Sequence, residues 1–434
     1  LSEITLDNNI QPANYDLNLE NSINMALDNN SIFNIQKKQT KDYKLEATKT
    51  LLDFLPTLST AMQLSYQVNT ANLSSSNMII PGLGMVTMPS YQVEDNWKRQ
   101  NTVSAIQNIT GLYRKYHAKK IADLSFEKAI LEEEYSKQNT ASKVYNVYFD
   151  ILADKYQIKA LEESIKELES YYELASERYK EGTALDRDAQ KVEVELDSSK
   201  YAHFVKQNDL NNKLNWFKNI LGLNQQDNIN IIESYTEQDT NLSSEDAVKT
   251  AIENNKKLQQ AGINIKIAKH AKKETYSRYI PEFDINTSYL NQQGDDFYPQ
   301  NNFAVAFNMN FEFFDWGKRV LTIKQRQLEV EQAQLYEKDT LEALEIDVKD
   351  KFNKIKEAAM LIDVSKKNVE LSQRNVEISS GRYKVGMEIM SEVLKDQSEL
   401  SHARSDYYYA LYNKQKTITN LKQAMGVLII NEEQ

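Results

Sequence analysis

The chain of 434 residues contains no cysteine. That excludes disulfides, thiolate metal ligands and a lipidated cysteine within it. Only 6 prolines and 11 glycines are present, too few turn residues for the two or three ordinary globular domains that the length would hold, so long uninterrupted elements are implied. No stretch approaches the roughly 18 to 20 consecutive apolar residues of a transmembrane helix, and any membrane-spanning segment must therefore be strand. Excess basic charge is also missing. The net charge of −11 argues against a nucleic-acid partner or an anionic membrane surface, both of which need a basic face. The four histidines, at 117, 203, 270 and 402, show no metal-ligand spacing, and there is neither a glycine-rich phosphate loop nor a nucleophile elbow. No enzyme, metal or cofactor is expected. The chain begins at Leu1 with no charged-then-apolar leader, so a secretory signal is expected to have been removed already.

What is present is written twice. Ala26-Leu27-Asp28-Asn29-Asn30 and Pro56 recur as Ala251-Ile252-Glu253-Asn254-Asn255 and Pro281, a shift of 225 positions. Arg178-Tyr179-Lys180-Glu181-Gly182 recurs as Arg382-Tyr383-Lys384-Val385-Gly386, a shift of 204 that also carries Lys191 onto Lys395 and Gly222 onto Gly426. Duplication of one folding unit explains both registers. The shifts differ by 21 residues, so the first copy carries an insertion between Pro56 and Arg178. Two structural repeats are expected, 1–225 and 226–434. Each would run through a helix, two strands, a long helix, a tip and a return helix.

Proline and glycine are absent from 112–181, 183–221, 318–380 and 387–425. These segments are rich in Glu, Lys, Leu, Ala and Gln, which are strong helix formers. At about 1.5 Å per residue, the longest would extend on the order of 100 Å, deeper than a globular core. Leu161, Ile165, Leu168, Tyr172, Ala175 and Tyr179 alternate steps of four and three, the rhythm of a coiled-coil seam. The second copy answers with the smaller Ser365, Val369, Ser372, Val376, Ser379 and Tyr383.

Between the helices the period changes to two. Phe303, Val305, Phe307, Met309, Phe311 and Phe313 alternate with Ala304, Ala306, Asn308, Asn310 and Glu312. Phe283, Ile285, Thr287 and Tyr289 do the same after Pro281, and Leu58, Thr60, Met62, Leu64 and Tyr66 after Pro56. Strands are thus expected near 57–66, 101–110, 282–290 and 302–313. The second is the poorest, because Gln107 stands where the alternation wants an apolar residue. This pattern suits barrel strands with one face in lipid and one in water, and Tyr66, Trp97, Tyr289 and Trp316 fall at strand ends, where aromatic girdles meet headgroups. Residues 69–89 read as an exposed loop that holds the 21-residue excess, with 291–302 as its shorter counterpart. Four strands cannot close a barrel, and open edges are not tolerated in hydrocarbon, so copies of the chain must share one.

The ordered set of Ala-Leu-Asp-Asn-Asn at Ala26, the two Arg-Tyr-x-x-Gly tips, Phe314-Asp315-Trp316-Gly317-Lys318-Arg319, and the Leu-Gly and Met-Gly ends at Gly222 and Gly426 resembles the TolC-like outer-membrane efflux channels. The resemblance implies an α+β membrane protein of the bacterial outer membrane that extends into the periplasm. It would be a homotrimer whose twelve-stranded barrel, four strands per chain, continues into a helical coiled-coil tunnel. It further implies a passive exit duct in a tripartite efflux or type I secretion system, joined through a periplasmic adaptor (membrane fusion protein) to an inner-membrane pump. The tips, 178–184 and 382–388, would dock that adaptor, which singles out Arg178, Tyr179, Gly182 and Thr183 with Arg382, Tyr383, Gly386 and Met387. Asp188 and Lys191, aligned with Glu392 and Lys395, are the entrance candidates. Glu392 matches the first acid that the family keeps at its closed entrance, and Lys395 replaces the next. The competing reading is a soluble coiled-coil scaffold or tether with a strand insert.

Overall fold

The computed structural model describes residues 13–68, 72–92, 94–234, 242–295 and 299–428. The start at Leu1 and parts of both expected loops, 69–71 and 296–298, lie outside them. In chain order the elements are β1 (Asn14–Leu17), α1 (Leu19–Asn29), α2 (Ser31–Leu52), β2 (Thr57–Tyr66), β3 (Asn72–Leu73), β4 (Ser76–Ile80), β5 (Gly84–Met88), β6 (Tyr91–Gln92), β7 (Glu94–Asn108), α3 (Leu112–Lys180) and α4 (Asp186–Leu221). They continue as β8 (Asn228–Ile231), α5 (Ser244–Asn254), α6 (Lys256–Thr275), β9 (Glu282–Asp295), β10 (Asn301–Asn310), α7 (Lys318–Lys384) and α8 (Met390–Ala424). No helix among the described residues is long and apolar enough to cross a membrane.

The chain divides into two compact units, and each draws segments from both halves of the sequence. One holds Lys41–Lys128 and Gly262–Leu335. Within it, β10, β9, β7 and β2 form one antiparallel sheet in that order. The register puts Leu58, Met62 and Leu64 beside Ala105, Asn101 and Arg99, and Phe303, Val305 and Phe307 beside Tyr289, Thr287 and Ile285. Because side chains alternate across a strand, one face of the sheet is largely apolar. The other carries Ser59 against Ser104, with hydroxyls 2.7 Å apart, and Asn308 donating to Asp284 at 2.8 Å. Gln107 does lie on the apolar face, beside Ile285. Its amide is consumed locally, donating to the carbonyls of Asn108 at 3.0 Å and Phe54 at 3.4 Å.

Three differences from the sequence expectation stand out. Strand β7 begins earlier, at Glu94, with a bulge before Arg99, and β9 runs on to Asp295. Strand β10 stops at Asn310, short of Phe311 and Phe313, because the chain turns into α7. There Asp315 accepts from the Arg319 backbone N–H at 2.7 Å and from its Nε at 2.9 Å. That is the physical content of the Phe-Asp-Trp-Gly-Lys-Arg exit. Finally, the expected loop is a ribbon, with β3 paired to β6 and β4 to β5. A tight turn closes its end, where the Leu83 N–H reaches the Ile80 carbonyl at 3.0 Å.

The other unit holds Leu1–Thr40, Ala129–Ala261 and Tyr336–Gln434. Its core gathers Leu17, Ala26, Val144, Tyr148, Phe149, Leu152, Phe217, Leu221 and Tyr412. Here β1 pairs in parallel with β8, a short sheet not expected from the sequence. The repeated Asn-Asn motifs have the same task in each copy. Asn30 donates to the Ile220 carbonyl and Asn255 to the Ala424 carbonyl, both at 2.9 Å. A Cβ on Gly222 would lie 2.7 Å from the Asn29 carbonyl oxygen, and one on Gly426 would lie 2.5 Å from that of Asn254. Only glycine admits so close a backbone approach.

Candidate functional site

The two helical corners are the places where the sequence concentrates its signals. Gly182 and Gly386 adopt φ of 72° and 80°, in the left-handed region that glycine enters without cost. The Thr183 N–H returns to the Arg178 carbonyl at 2.9 Å and the Gly182 N–H to that of Tyr179 at 3.0 Å. Met387 to Arg382, at 2.8 Å, and Gly386 to Tyr383, at 3.0 Å, repeat the pattern. Each corner is a Schellman cap in which backbone N–H groups satisfy the last helical carbonyls, and at the first the Thr183 hydroxyl adds a bond to the Arg178 carbonyl at 3.1 Å.

Arg178 does not serve its own helix end. Its Nη1 donates to the carbonyl of Tyr383 on the other corner, and its guanidinium lies 5.0 Å above the Tyr383 ring. Tyr383 is buried, and burial pushes its phenol above the ordinary range; the charge of Asp188 pushes the same way and Arg178 opposes it. Lys191 makes a second tie between the corners, donating to Ser391 Oγ at 2.6 Å. Beneath these ties lie the buried side chains Leu168, Ala175, Ala189, Val192, Leu196, Met390, Val393 and Leu394. Lower down, Gln397 donates to Ser164 at 3.3 Å and to Glu167, while Arg404 lies 3.7 Å from Glu163 and 3.6 Å from Glu167.

The structure thus gathers Arg178, Tyr383, Gly386, Asp188 and Lys191 into one cluster. Tyr179, Thr183 and Met387 stay exposed, and Arg382 turns to Glu388 at 3.7 Å. Glu392 and Lys395 pair with each other at 3.1 Å on an exposed turn. The unequal behaviour of Arg178 and Arg382 is invisible in their identical motifs, since it depends on what stands opposite each.

Spacing also failed to reveal the meeting of His117 and His270 in the sheet-bearing unit. Their Nδ1 atoms are 2.9 Å apart, and Tyr113 and Tyr116 pack edge-on against His117. Burial lowers both imidazoles from their ordinary value; His270 and Lys273 add to the effect on His117, and Lys273 and Lys120 to that on His270. Among the described residues no group of three or more metal-type ligands occurs.

The chain thus combines a four-stranded sheet with one largely apolar face and two helices of 69 and 67 residues that each end in a capped corner. Residues 247–427 match the family described as outer membrane efflux protein. Over its whole length the chain shares the fold of the transmembrane-channel protein CusC, with a TM-score of 0.80 at 14% identity, covering 97% of this chain and 95% of that one. It is also similar to the outer membrane channel CmeC of Campylobacter jejuni, with a TM-score of 0.79 at 14% identity over 96% of this chain and 87% of that one. A third likeness is to the outer membrane protein VceC of Vibrio cholerae, with a TM-score of 0.76 at 13% identity over 94% and 96% of the two chains. No protein of curated function matches the sequence. The fold is that of the outer-membrane efflux channels, and the second half of the chain carries the family's own sequence pattern.

Proposed function

We propose that the protein is the passive outer-membrane exit duct of a tripartite export machine. Three chains share one barrel, and the helices continue it into the periplasm. The observation that carries this reading is the four-stranded sheet itself. The outer edges of its end strands β2 and β10 have no partner among the described residues, yet its apolar face is open, with Leu58, Met62, Phe303 and Phe307 each at least 66% exposed. Edges unpaired in hydrocarbon cost several kcal/mol per lost hydrogen bond, so β10 of one chain pairs with β2 of the next until the ring closes. The corners would dock the periplasmic adaptor, and the ties from Arg178 to Tyr383 and from Lys191 to Ser391 hold the entrance closed. Opening breaks them. The pump supplies the energy, and this chain only guides and gates.

The test is extraction and assembly. The protein is expected to need detergent, to run as a trimer by native mass measurement, and to form channels in planar bilayers. A water-soluble monomer would favour the scaffold reading instead.

A further inference from the structure

The last rung of the sheet pairs Asn310 with Glu282. Both line a cavity of about 390 Å³ at the end of the sheet from which α3 and α7 leave. Two of its ion pairs are closed, since Arg114 reaches Glu282 at 3.1 Å and the buried Arg319 reaches Asp315 at 2.9 Å. Arg319 also donates to the carbonyls of Arg278, at 3.1 Å, and Glu312, and its guanidinium lies 5.3 Å from the centroid of the Tyr279 ring. Those bonds fix the two segments that carry Arg278 and Glu312. What remains around the cavity is Arg278, Lys318 and Glu312, all exposed and none with an ion-pair partner among the described residues. Two uncommitted cations and one uncommitted acid complement a ligand that holds an anion and a cation close together.

The chain beside the cavity turns aromatic rings outward. Phe313, Phe314 and Trp316 are 85%, 59% and 84% exposed, and the rings of Phe314 and Trp316 lie edge to face, 4.9 Å apart. Trp316 stands at φ 58°, in the left-handed region that a bulky side chain resists, and among the described residues no other non-glycine does so. Asp315 holds it there, accepting from the Gly317 N–H at 3.1 Å and from the Arg319 N–H at 2.7 Å. A strained turn kept by a buried ion pair, with its aromatic residue in the open, points to a function for that residue. Exposed tryptophan at the end of a lipid-facing strand belongs at the level of the headgroups, which puts the cavity at the depth of the lipid phosphates.

We infer that this cavity binds the headgroup of a phospholipid that carries a primary ammonium: the phosphate sits between Arg278 and Lys318, the ammonium at Glu312, and the acyl chains run over Phe313, Phe314 and Trp316. This rests on the trimeric duct reading, in which the sheet lies in a bilayer. The Arg278 guanidinium can take two phosphate oxygens at once, and Lys318 adds a point charge. A primary ammonium offers Glu312 three N–H donors, whereas a trimethylated one offers none. The site therefore separates ethanolamine from choline headgroups, although the two carry the same net charge. A headgroup without any cation would leave Glu312 unpaired beside the phosphate.

The test mixes the detergent-solubilised protein with equimolar dioleoyl phosphatidylethanolamine and dioleoyl phosphatidylcholine and reads retained lipid by native mass measurement. The ethanolamine lipid is expected to be retained over the choline lipid by about tenfold, the worth of one charge-assisted hydrogen bond. Glu312→Gln should hold both lipids and abolish the preference, and Arg278→Gln/Lys318→Gln should hold neither. Arg278→Lys keeps the charge and should keep the preference. The same spectra report trimer mass, so a variant that fails to fold is recognised as such and Glu312→Gln still decides. O-phosphoethanolamine, the headgroup without chains, should not displace the lipid at equal concentration; displacement would mean a soluble ligand and overturn the lipid assignment. Equal retention of the two lipids by the parent trimer, or an unchanged preference in Glu312→Gln, overturns the inference and leaves the duct standing. Absence of a trimer in the parent protein overturns both.

Discussion

Gly182 and Gly386 show how much one residue can carry. Space is not what forbids a side chain there, since a Cβ on Gly182 meets nothing within 4 Å and one on Gly386 meets only Arg178 Nη2, at 3.5 Å. The cost of Gly→Val is therefore conformational, about 1 kcal/mol or more for a β-branched residue at positive φ. Either variant is expected to assemble normally in native mass measurements but to lose adaptor crosslinking and export. The histidine pair makes a different demand. Because burial depresses both folded pKa values, the unfolded chain takes up protons first as pH falls below about 6.5, and stability drops through that window until the folded pair itself titrates. Lys120 and Lys273 add to the cost of charging the pair. Heat-induced unfolding at pH 5 and pH 7.5 should differ in the parent protein and differ less in His117→Gln/His270→Gln.

Elements were legible where one physical requirement dominated the pattern. The expected strand near 57–66 runs Thr57–Tyr66, because Pro56 sets its start and alternation fixes its face. The Schellman corners could be read from Arg-Tyr-x-x-Gly because local backbone geometry alone decides them. What escaped depends on partners far along the chain. Nothing in sequence spacing joins His117 to His270, or Lys191 to Ser391. The ribbon at 72–92 was mistaken for a loop because its Asn, Ser, Gly and Pro content outweighed the alternation of Met78, Ile80, Val86 and Met88. For the sheet, the register makes a sharp expectation. Phe307→Arg puts a charge on the apolar face and should cost roughly 2 to 4 kcal/mol near the bilayer midplane. Asn308→Arg, on the face where Asn308 meets Asp284, should insert normally. Equal loss of folded protein on urea titration in vesicles would mean that the faces are assigned the wrong way round.

At the scale of the whole molecule, the ribbon has a consequence for how the protein meets its surroundings. Between Asp53 and Glu94 the sequence contains no charged residue, and between Lys49 and Lys98 no lysine or arginine at all. Yet Ile79, Leu83 and Met85 on the ribbon are 74%, 76% and 67% exposed. Exposed loop tips are where proteases first nick a folded chain. A protease that requires a basic residue has nothing to recognise there, whereas one that prefers large apolar residues finds several. Intact cells treated with trypsin should keep the chain whole at the ribbon, and chymotrypsin should cut it between residues 78 and 92, as read by the masses of the fragments. To a digestive milieu, the ribbon is hidden from one class of enzyme and open to another.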